Sequence, residues 1–356
     1  MERWKGNAFA TLISSMPHKD RDKAIELVLR SAPEVPAWPQ LAAYLPEQMM
    51  VQYNEGLPGL RSSEGRVFVQ TDSADFDQEL YSFYEEYLAV EAGEKKVGES
   101  AFAMGPETAA SLDRFIHALE GAGLPLLAVK GQIAGPFTLL SGLKDQDGRA
   151  LLFDERFQDV VPKLLGIKAR WQAEKLAAFG VPVIVFMDEP ALAGFGSSAF
   201  ISIGRELVHQ LLTEVAAAIR GAGALAGIHI CANTDWLLAF DAGLDVINFD
   251  AYNHMDRFAL YREACSAFWE AGGTVAWGIV PTNDTEALLR ETPEALAQRL
   301  LEGMGLFVSD RMPLSRIIGQ SLITPSCGCG SLSEELTERV LFLTAEVSRI
   351  VRQSLR

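Results

Sequence analysis

The sequence predicts an α/β fold, a (β/α)8 TIM barrel forming a single domain over residues 1–356, with an irregular N-terminal insertion. Three observations carry this expectation. Short apolar runs alternate with amphipathic helical patterns through the second half of the chain, the rhythm of parallel β/α units. The runs around Leu12, Val67–Val69 (or the weaker Ala101–Ala103), Leu126, Val183, Leu225, Val246, Val275 and Ile318 supply about eight strands, the number a barrel needs. No G-x-G-x-x-G opens an early β/α turn, so the doubly wound open sheet is the weaker alternative.

In chain order, Thr11-Leu12-Ile13 reads as a short buried strand, with Ser14-Ser15-Met16-Pro17-His18 as the polar loop after it and a helical pattern over Arg21 to Leu29. Five prolines between Ala32 and Leu60 predict an irregular stretch, long enough to act as a lid or binding loop. Within it, Glu55 is a lone carboxylate in a turn. Asp72 to Ala92 reads as an acidic, aromatic-rich helix with a core-facing stripe, and Pro106 to Gly121 as a helix opened by its proline. Leu124 to Lys130 reads as a strand leading into the glycine-containing loop Gly131 to Phe137, which lacks P-loop spacing. Helices follow from about Asp154 to Phe179, then the apolar strand Val181 to Met187, ending in Asp188-Glu189-Pro190. Buried paired acids need a cation, a donor or water, which marks one of them as a ligand residue. Thereafter helices at Arg205 to Gly221, Asp235 to Ala242, Arg257 to Gly272, Thr292 to Met304 and Ser333 to Val351 alternate with strands at Leu225 to Ile230, Asp245 to Phe249, Thr274 to Ile279 and Gly319 to Ile323. No repeat or low-complexity linker divides the chain.

A formal net charge of −16 argues against a nucleic-acid partner, because phosphate binding needs a positive field, and an anionic membrane is disfavoured for the same reason. The segment Met1 to Asn7 lacks a signal-peptide core and no apolar run reaches the roughly 18 residues of a membrane span, so a cytoplasmic protein is expected. Four cysteines in 356 residues are too few for a disulfide scaffold and suit metal or catalytic use. Cys265, inside a helical pattern, reads as core.

The chemistry concentrates at strand ends. His229 and Cys231 stand two apart where an apolar strand finishes, so both side chains face one point. Cys327 and Cys329 lie in the Gly-rich loop after another strand. Imidazole and thiolate are natural zinc ligands, and three protein ligands with an open fourth position mark a catalytic zinc. His229, Cys231 and Cys327 supply the three, with Asp250 or Cys329 as the fourth. Thiolate ligation suits activation of a substrate thiol better than activation of water, and no H-E-x-x-H is present. A zinc-stabilised barrel acting only as a binding module is the non-enzymatic alternative.

Taken in order, Ile13-Ser14-Ser15-Met16-Pro17, Asp188-Glu189-Pro190-Ala191-Leu192, His229-Ile230-Cys231 and Pro325-Ser326-Cys327-Gly328 resemble the C-terminal catalytic barrel of cobalamin-independent methionine synthases. The resemblance spans most of the chain and implies a zinc methyltransferase that activates homocysteine, with His229, Cys231 and Cys327 as zinc ligands. It also implies substrate contacts from Asp188 (to the amino group), from Ile13 and Ser15, and from Glu55 as a second amine-binding acid. The segment Gly131 to Phe137 matches the family's K-G-x-x-x-G-P loop.

Three departures from that pattern bear on the methyl donor. Asp250 stands where the family has a ligating Glu, Gly278-Ile279-Val280-Pro281-Thr282 replaces a segment with a catalytic His, and no N-terminal folate-binding barrel is expected. These features imply methylcobalamin or a methyl-corrinoid protein as donor rather than folate. The chain also resembles corrinoid:thiol methyltransferases of the uroporphyrinogen decarboxylase superfamily, which implies a different thiol as the alternative substrate. No D-x-H-x-x-G corrinoid motif is present, so a corrinoid would be free or carried by a partner protein.

Overall fold

Strand-forming runs of β-branched and aliphatic residues bounded by helix caps produce, in the computed structural model, a curled parallel sheet of seven strands with helices packed on its outside. Residues 4–63 and 65–355 are described; residues 1–3 of the leading segment lie outside them. The strands are Phe9–Ala10, Val129–Ala134, Val183–Asp188, Leu225–Ile230, Val246–Phe249, Thr274–Val280 and Ser321–Pro325. The last six pair with one another in chain order, five neighbouring pairs, and Phe9–Ala10 pairs with Ser321–Pro325. The architecture is TIM-barrel-like. Among the described residues, no helix is long and apolar enough to cross a membrane.

The two ends of the sheet are linked by a stretch that the sequence reading treats as irregular. Lys130 N donates to Pro36 O (2.9 Å) and Trp38 N to Lys130 O (3.2 Å), so residues 36–38 bond to one edge. Gln40 N donates to Ser14 O (2.8 Å) and Ala42 N to Met16 O (3.2 Å), so residues 40–42 bond to the chain just beyond the other edge. Pro39, with no N–H to give, sits at the changeover.

The expectation of a sheet strand at Val67–Val69 is corrected. Arg66–Val69 is a strand, but it pairs antiparallel with Leu60–Ser63 in a separate hairpin, and 101–103 is a turn. Three boundaries also move. Gly131 to Ala134 belongs to a strand rather than a loop, Pro106 precedes its helix (Ala110–Ala122) by four residues, and Thr11 to Ser14 lies between the short strands Phe9–Ala10 and Ser15–Met16.

Period-2 alternation decides what faces inward. Ile13, Ile184, Phe186, Val246, Ala276 and Leu322 form a compact apolar cluster inside the curl, separate from the larger core between sheet and helices. Gly227 makes this possible, since a Cβ there would lie 2.2 Å from the Phe186 ring. The next inward positions along three of these strands are Asp188, His229 and Asn248. An apolar plug therefore closes the sheet interior below, and polar side chains occupy it above.

Candidate metal centre and substrate site

His229 is the fifth residue of Leu225–Ile230 and Cys231 follows that strand directly. Cys327 follows Ser321–Pro325 by two residues, and its loop is pinned: Ser326 N donates to Val280 O (2.8 Å) and Thr282 N to Ser326 Oγ (3.2 Å). Gly278 permits this approach, since a Cβ there would meet Phe249 O at 2.5 Å and Ser326 Cα at 2.9 Å. As a result one ligand atom each of His229, Cys231 and Cys327 lies within 4.8 Å of the other two. Zinc with bonds of roughly 2.0–2.3 Å sets its ligand atoms about 3.3–3.8 Å apart, so small side-chain movements close this set on an ion.

The electrostatics of the three residues fit a cation. His229 is buried, its Nδ1 is hydrogen-bonded to Asn248 Oδ1, and its Nε2 has no partner within the protein. Contact with Cys327 and the neighbouring imidazole lowers the Cys231 thiol well below its ordinary range. The same contact, together with burial, raises Cys327. Burial opposes charge on His229, but the Cys231 sulfur and the Asp188 carboxylate outweigh it and raise its pKa. A buried imidazole nitrogen without a partner beside two cysteine sulfurs is a donor set that a zinc ion satisfies. Both cysteines are half-buried, so the cluster has a face open to other ligands.

Asp188 pairs in register with His229 across adjacent strands. It is buried, its Oδ1 lacks a hydrogen-bond partner, and burial raises its pKa against the pull of His229 and Lys130. Glu189, the second acid of the pair, has a different task. Its carboxylate accepts from Phe137 N (2.9 Å), Thr138 N (2.9 Å) and Thr138 Oγ1 (2.7 Å), capping the helix Pro136–Gly142 from outside. Gly135 provides the room, because a Cβ there would stand 2.2 Å from the Glu189 carboxyl carbon. The glycine of the K-G-x-x-x-G-P stretch thus serves a helix cap.

Burial pushes Glu189 up to about 7 from 4.5 despite its three donors. A carboxyl raised on folding contributes stability that is full below the unfolded value and is lost as pH rises through the folded one. Stability is therefore expected to fall between about pH 4.5 and 7, by up to about 3 kcal/mol from this group. Urea midpoints across that range check it. Glu189→Gln should remove this part of the slope and lower the midpoint throughout, since only one of its two terminal atoms accepts.

The remaining predicted residues fall as follows. Asp250 is the N-cap of the helix Ala251–Phe258; its Oδ1 accepts from Asn253 N (2.9 Å) and its Oδ2 from Asn253 Nδ2 (2.8 Å), and it is not in the three-residue cluster. Cys329 is buried in the large core and raised to about 12 by burial, with its N–H donating to Ser15 O at 2.7 Å. Ser15 is packed beneath the cysteine loop, since a Cβ on Gly330 would lie 2.3 Å from its Oγ and one on Gly328 2.8 Å from its Cβ. Ile13 belongs to the apolar plug. Glu55 Oε2 accepts from Gly105 N (2.8 Å) and Thr108 Oγ1 (2.9 Å), with Lys168 Nζ at 3.7 Å.

Lys168 and Asn248 escaped the sequence reading, and Lys130, read as a polar residue at the carboxyl end of a strand, is instead the second residue of Val129–Ala134. Lys130 is fully buried over the Phe186 ring (4.4 Å) and lowered to about 8 by burial, with Asp188 as its countercharge. Lys168 is likewise buried and lowered to about 8, facing Glu55. Asn248 holds His229. Lys130 and Asn248 had a visible signal, a polar residue in an otherwise apolar run, whereas Lys168 sits among other charged residues of its helix.

No family model matches the sequence, and no curated protein matches it. Among solved structures, the chain is similar to a methyltransferase from Methanosarcina mazei (12% identity, 97% of this chain and 94% of that one, TM-score 0.51). It is also similar to a putative vitamin-B12-independent methionine synthase from Listeria monocytogenes (14% identity, 93% and 86%, TM-score 0.52). A third similarity is to a B12-independent methionine synthase from Shewanella sp. W3-18-1 in complex with selenomethionine, at 23% identity over 64% of this chain (TM-score 0.44); it spans 63% of that protein. At these identities the fold is what the chain shares with them. Fold and site together define a TIM-barrel-like α/β protein with a His/Cys/Cys cluster able to hold a metal ion.

Proposed function

We propose that this protein is a zinc-dependent methyltransferase that methylates the thiol of a small amino acid, homocysteine to methionine, using methylcobalamin or a methyl-corrinoid protein as donor. The observation that carries the reading is the convergence of His229, Cys231 and Cys327 within 4.8 Å at the polar end of the sheet interior, in register with a buried, unpaired Asp188 oxygen. His229, Cys231 and Cys327 would hold the zinc, and the bound ion would keep a substrate thiol as thiolate, its nucleophilic form. Asp188 offers its unpaired oxygen to the substrate amine, and Ser15 borders the site under the cysteine loop. The apolar plug beneath keeps water from the lower side. A corrinoid bound beside the site would supply the methyl group, and this chain's residues would hold the substrate sulfur in line with it. The protein contributes mainly alignment of the two reactants.

The half-buried cysteines favour this reading over a closed structural site. Hydrogen bonds from residues 36–38 to one sheet edge, and from residues 40–42 to the chain just beyond the other, support a complete (β/α)8 barrel forming one domain.

Zinc-edge X-ray absorption on the purified protein, with and without homocysteine, tests the function. The expected result is one zinc per chain whose shell gains a sulfur at the expense of a lighter atom when homocysteine is added. Absence of zinc, or a shell indifferent to thiols, overturns it.

A further inference from the structure

We infer that Asn248 is the positioning residue of the metal centre: it sets which nitrogen of His229 is free to bind the ion and ties the His229 strand to the strand that delivers Cys327. This rests on the metal-centre reading above.

The argument begins with the two donor hydrogens of the Asn248 amide. Asn248 Nδ2 donates to the backbone carbonyl of Ala276 (2.8 Å) and to Thr324 Oγ1 (2.8 Å), on the next two strands of the sheet. Ala276 O accepts only, so it fixes which end of the amide is nitrogen. Turned over, the amide would set oxygen against oxygen at Ala276 and point N–H groups at the histidine. In the orientation observed, Oδ1 has its lone pairs toward His229 Nδ1, its cross-strand partner in register. Oδ1 cannot donate, so Nδ1 must carry the proton. In the neutral ring Nε2 then holds the lone pair, and Nε2 is the buried atom left without a partner.

The same side chain relates the two halves of the site. Thr324 lies three residues before Cys327, so the chain of bonds from His229 through Asn248 to Thr324 spans four adjacent strands, counting Ala276 between them. Asn248 is itself fully buried, and water is not available to replace these bonds. Nothing else in the apolar run Val246-Ile247-Asn248-Phe249 calls for an amide.

The test compares Asn248→Ala, Asn248→Asp and Thr324→Val with wild type, using zinc titration of the metal-free protein against a competing chelator and 15N–1H spectra of the histidine rings. Outer partners of histidine ligands are typically worth about 10–100-fold in metal affinity. Asn248→Ala should weaken zinc by that factor and abolish the hydrogen-bonded Nδ1–H signal. Asn248→Asp keeps the acceptor and should hold the Nδ1–H signal, while losing the donors to Ala276 O and Thr324 Oγ1 and with them part of the affinity. Thr324→Val leaves His229 and its contact atom intact and should give a smaller loss; it serves if Asn248→Ala does not fold.

Equal zinc affinity and an unchanged ring signal in Asn248→Ala, or in Thr324→Val where the alanine variant is unfolded, overturns the inference. A general loss of stability without the tautomer change also overturns it, since that is what mere packing would give. Failure of wild type to bind zinc counts against the metal reading instead. The ring spectra of the metal-free protein in alkaline buffer still decide whether Asn248 selects the tautomer.

Discussion

Cys327→Ala is expected to lose its zinc on dialysis and with it essentially all thiol methylation, while melting within a few degrees of wild type. Three donors converge on the cluster, and removing one leaves a two-ligand site on a half-buried face. Zinc sites owe apparent binding energies of about 10–16 kcal/mol to a complete set of donors, so a missing thiolate moves the affinity by orders of magnitude. The fold depends little on the Cys327 sulfur, because the loop is held by other bonds. Ser326 N is bound to Val280 O and Cys329 N to Ser15 O. Metal analysis, circular dichroism melting and a methylcobalamin-dependent assay together check the outcome. A variant that unfolds would point to a structural site, and one that retains full activity would remove Cys327 from the mechanism.

Asp188→Asn should raise KM for homocysteine by about 10–100-fold, the 1.5–3 kcal/mol typical of a hydrogen bond to a charged group, with a smaller effect on kcat. Its Oδ1 is buried and unpaired, and such an atom is costly unless a ligand completes it. A thiol without an amine should be handled equally well by both proteins. That comparison separates loss of an amine contact from general damage at the site. Two effects on stability oppose each other: relief of an uncompensated buried carboxylate, and loss of the countercharge for Lys130. The net change in urea unfolding is expected within about 1 kcal/mol. Unchanged kinetics for homocysteine would exclude Asp188 from substrate recognition.

Much of the sheet was legible because its strands are buried on both faces and read as apolar runs. Leu225–Ile230 and the helix Arg205–Gly221 lie where the residue pattern places them, and the ends of Val183–Asp188 and Thr274–Val280 differ by one or two residues. The stretch at 36–42 was not legible, because Pro36 and Pro39 argue against a strand, and only the tertiary setting shows that their missing N–H groups are not needed there. Arg66–Val69 was read as part of the main sheet because alternation reveals a strand without revealing its neighbour. At the site, the i, i+2 spacing of His229 and Cys231 and the distant Cys327 pointed to one cluster, since strand ends gather at one face of such a sheet. The division of labour between Asp188 and Glu189 was illegible. Adjacent residues of a strand point to opposite sides, and which carboxylate meets a helix end depends on Gly135, far away in sequence.

The pairing of Phe9–Ala10 with Leu322 and Ile323 also orders events in time. As the chain leaves the ribosome, His229 and Cys231 emerge nearly a hundred residues ahead of Cys327, and the earliest strand waits for Ser321–Pro325 before its ladder can form. The ring of Ser15 backbone, cysteine loop and Asn248–Thr324 contacts is therefore sealed only once Ser321–Pro325 and the cysteine loop after it have been made. Contacts of such long sequence separation form slowly and leave exposed edges meanwhile. On the proposed zinc reading, the metal would be acquired only after Cys327 has been made, and starving cells of zinc during expression should accumulate finished but unloaded protein rather than truncated or stalled chains.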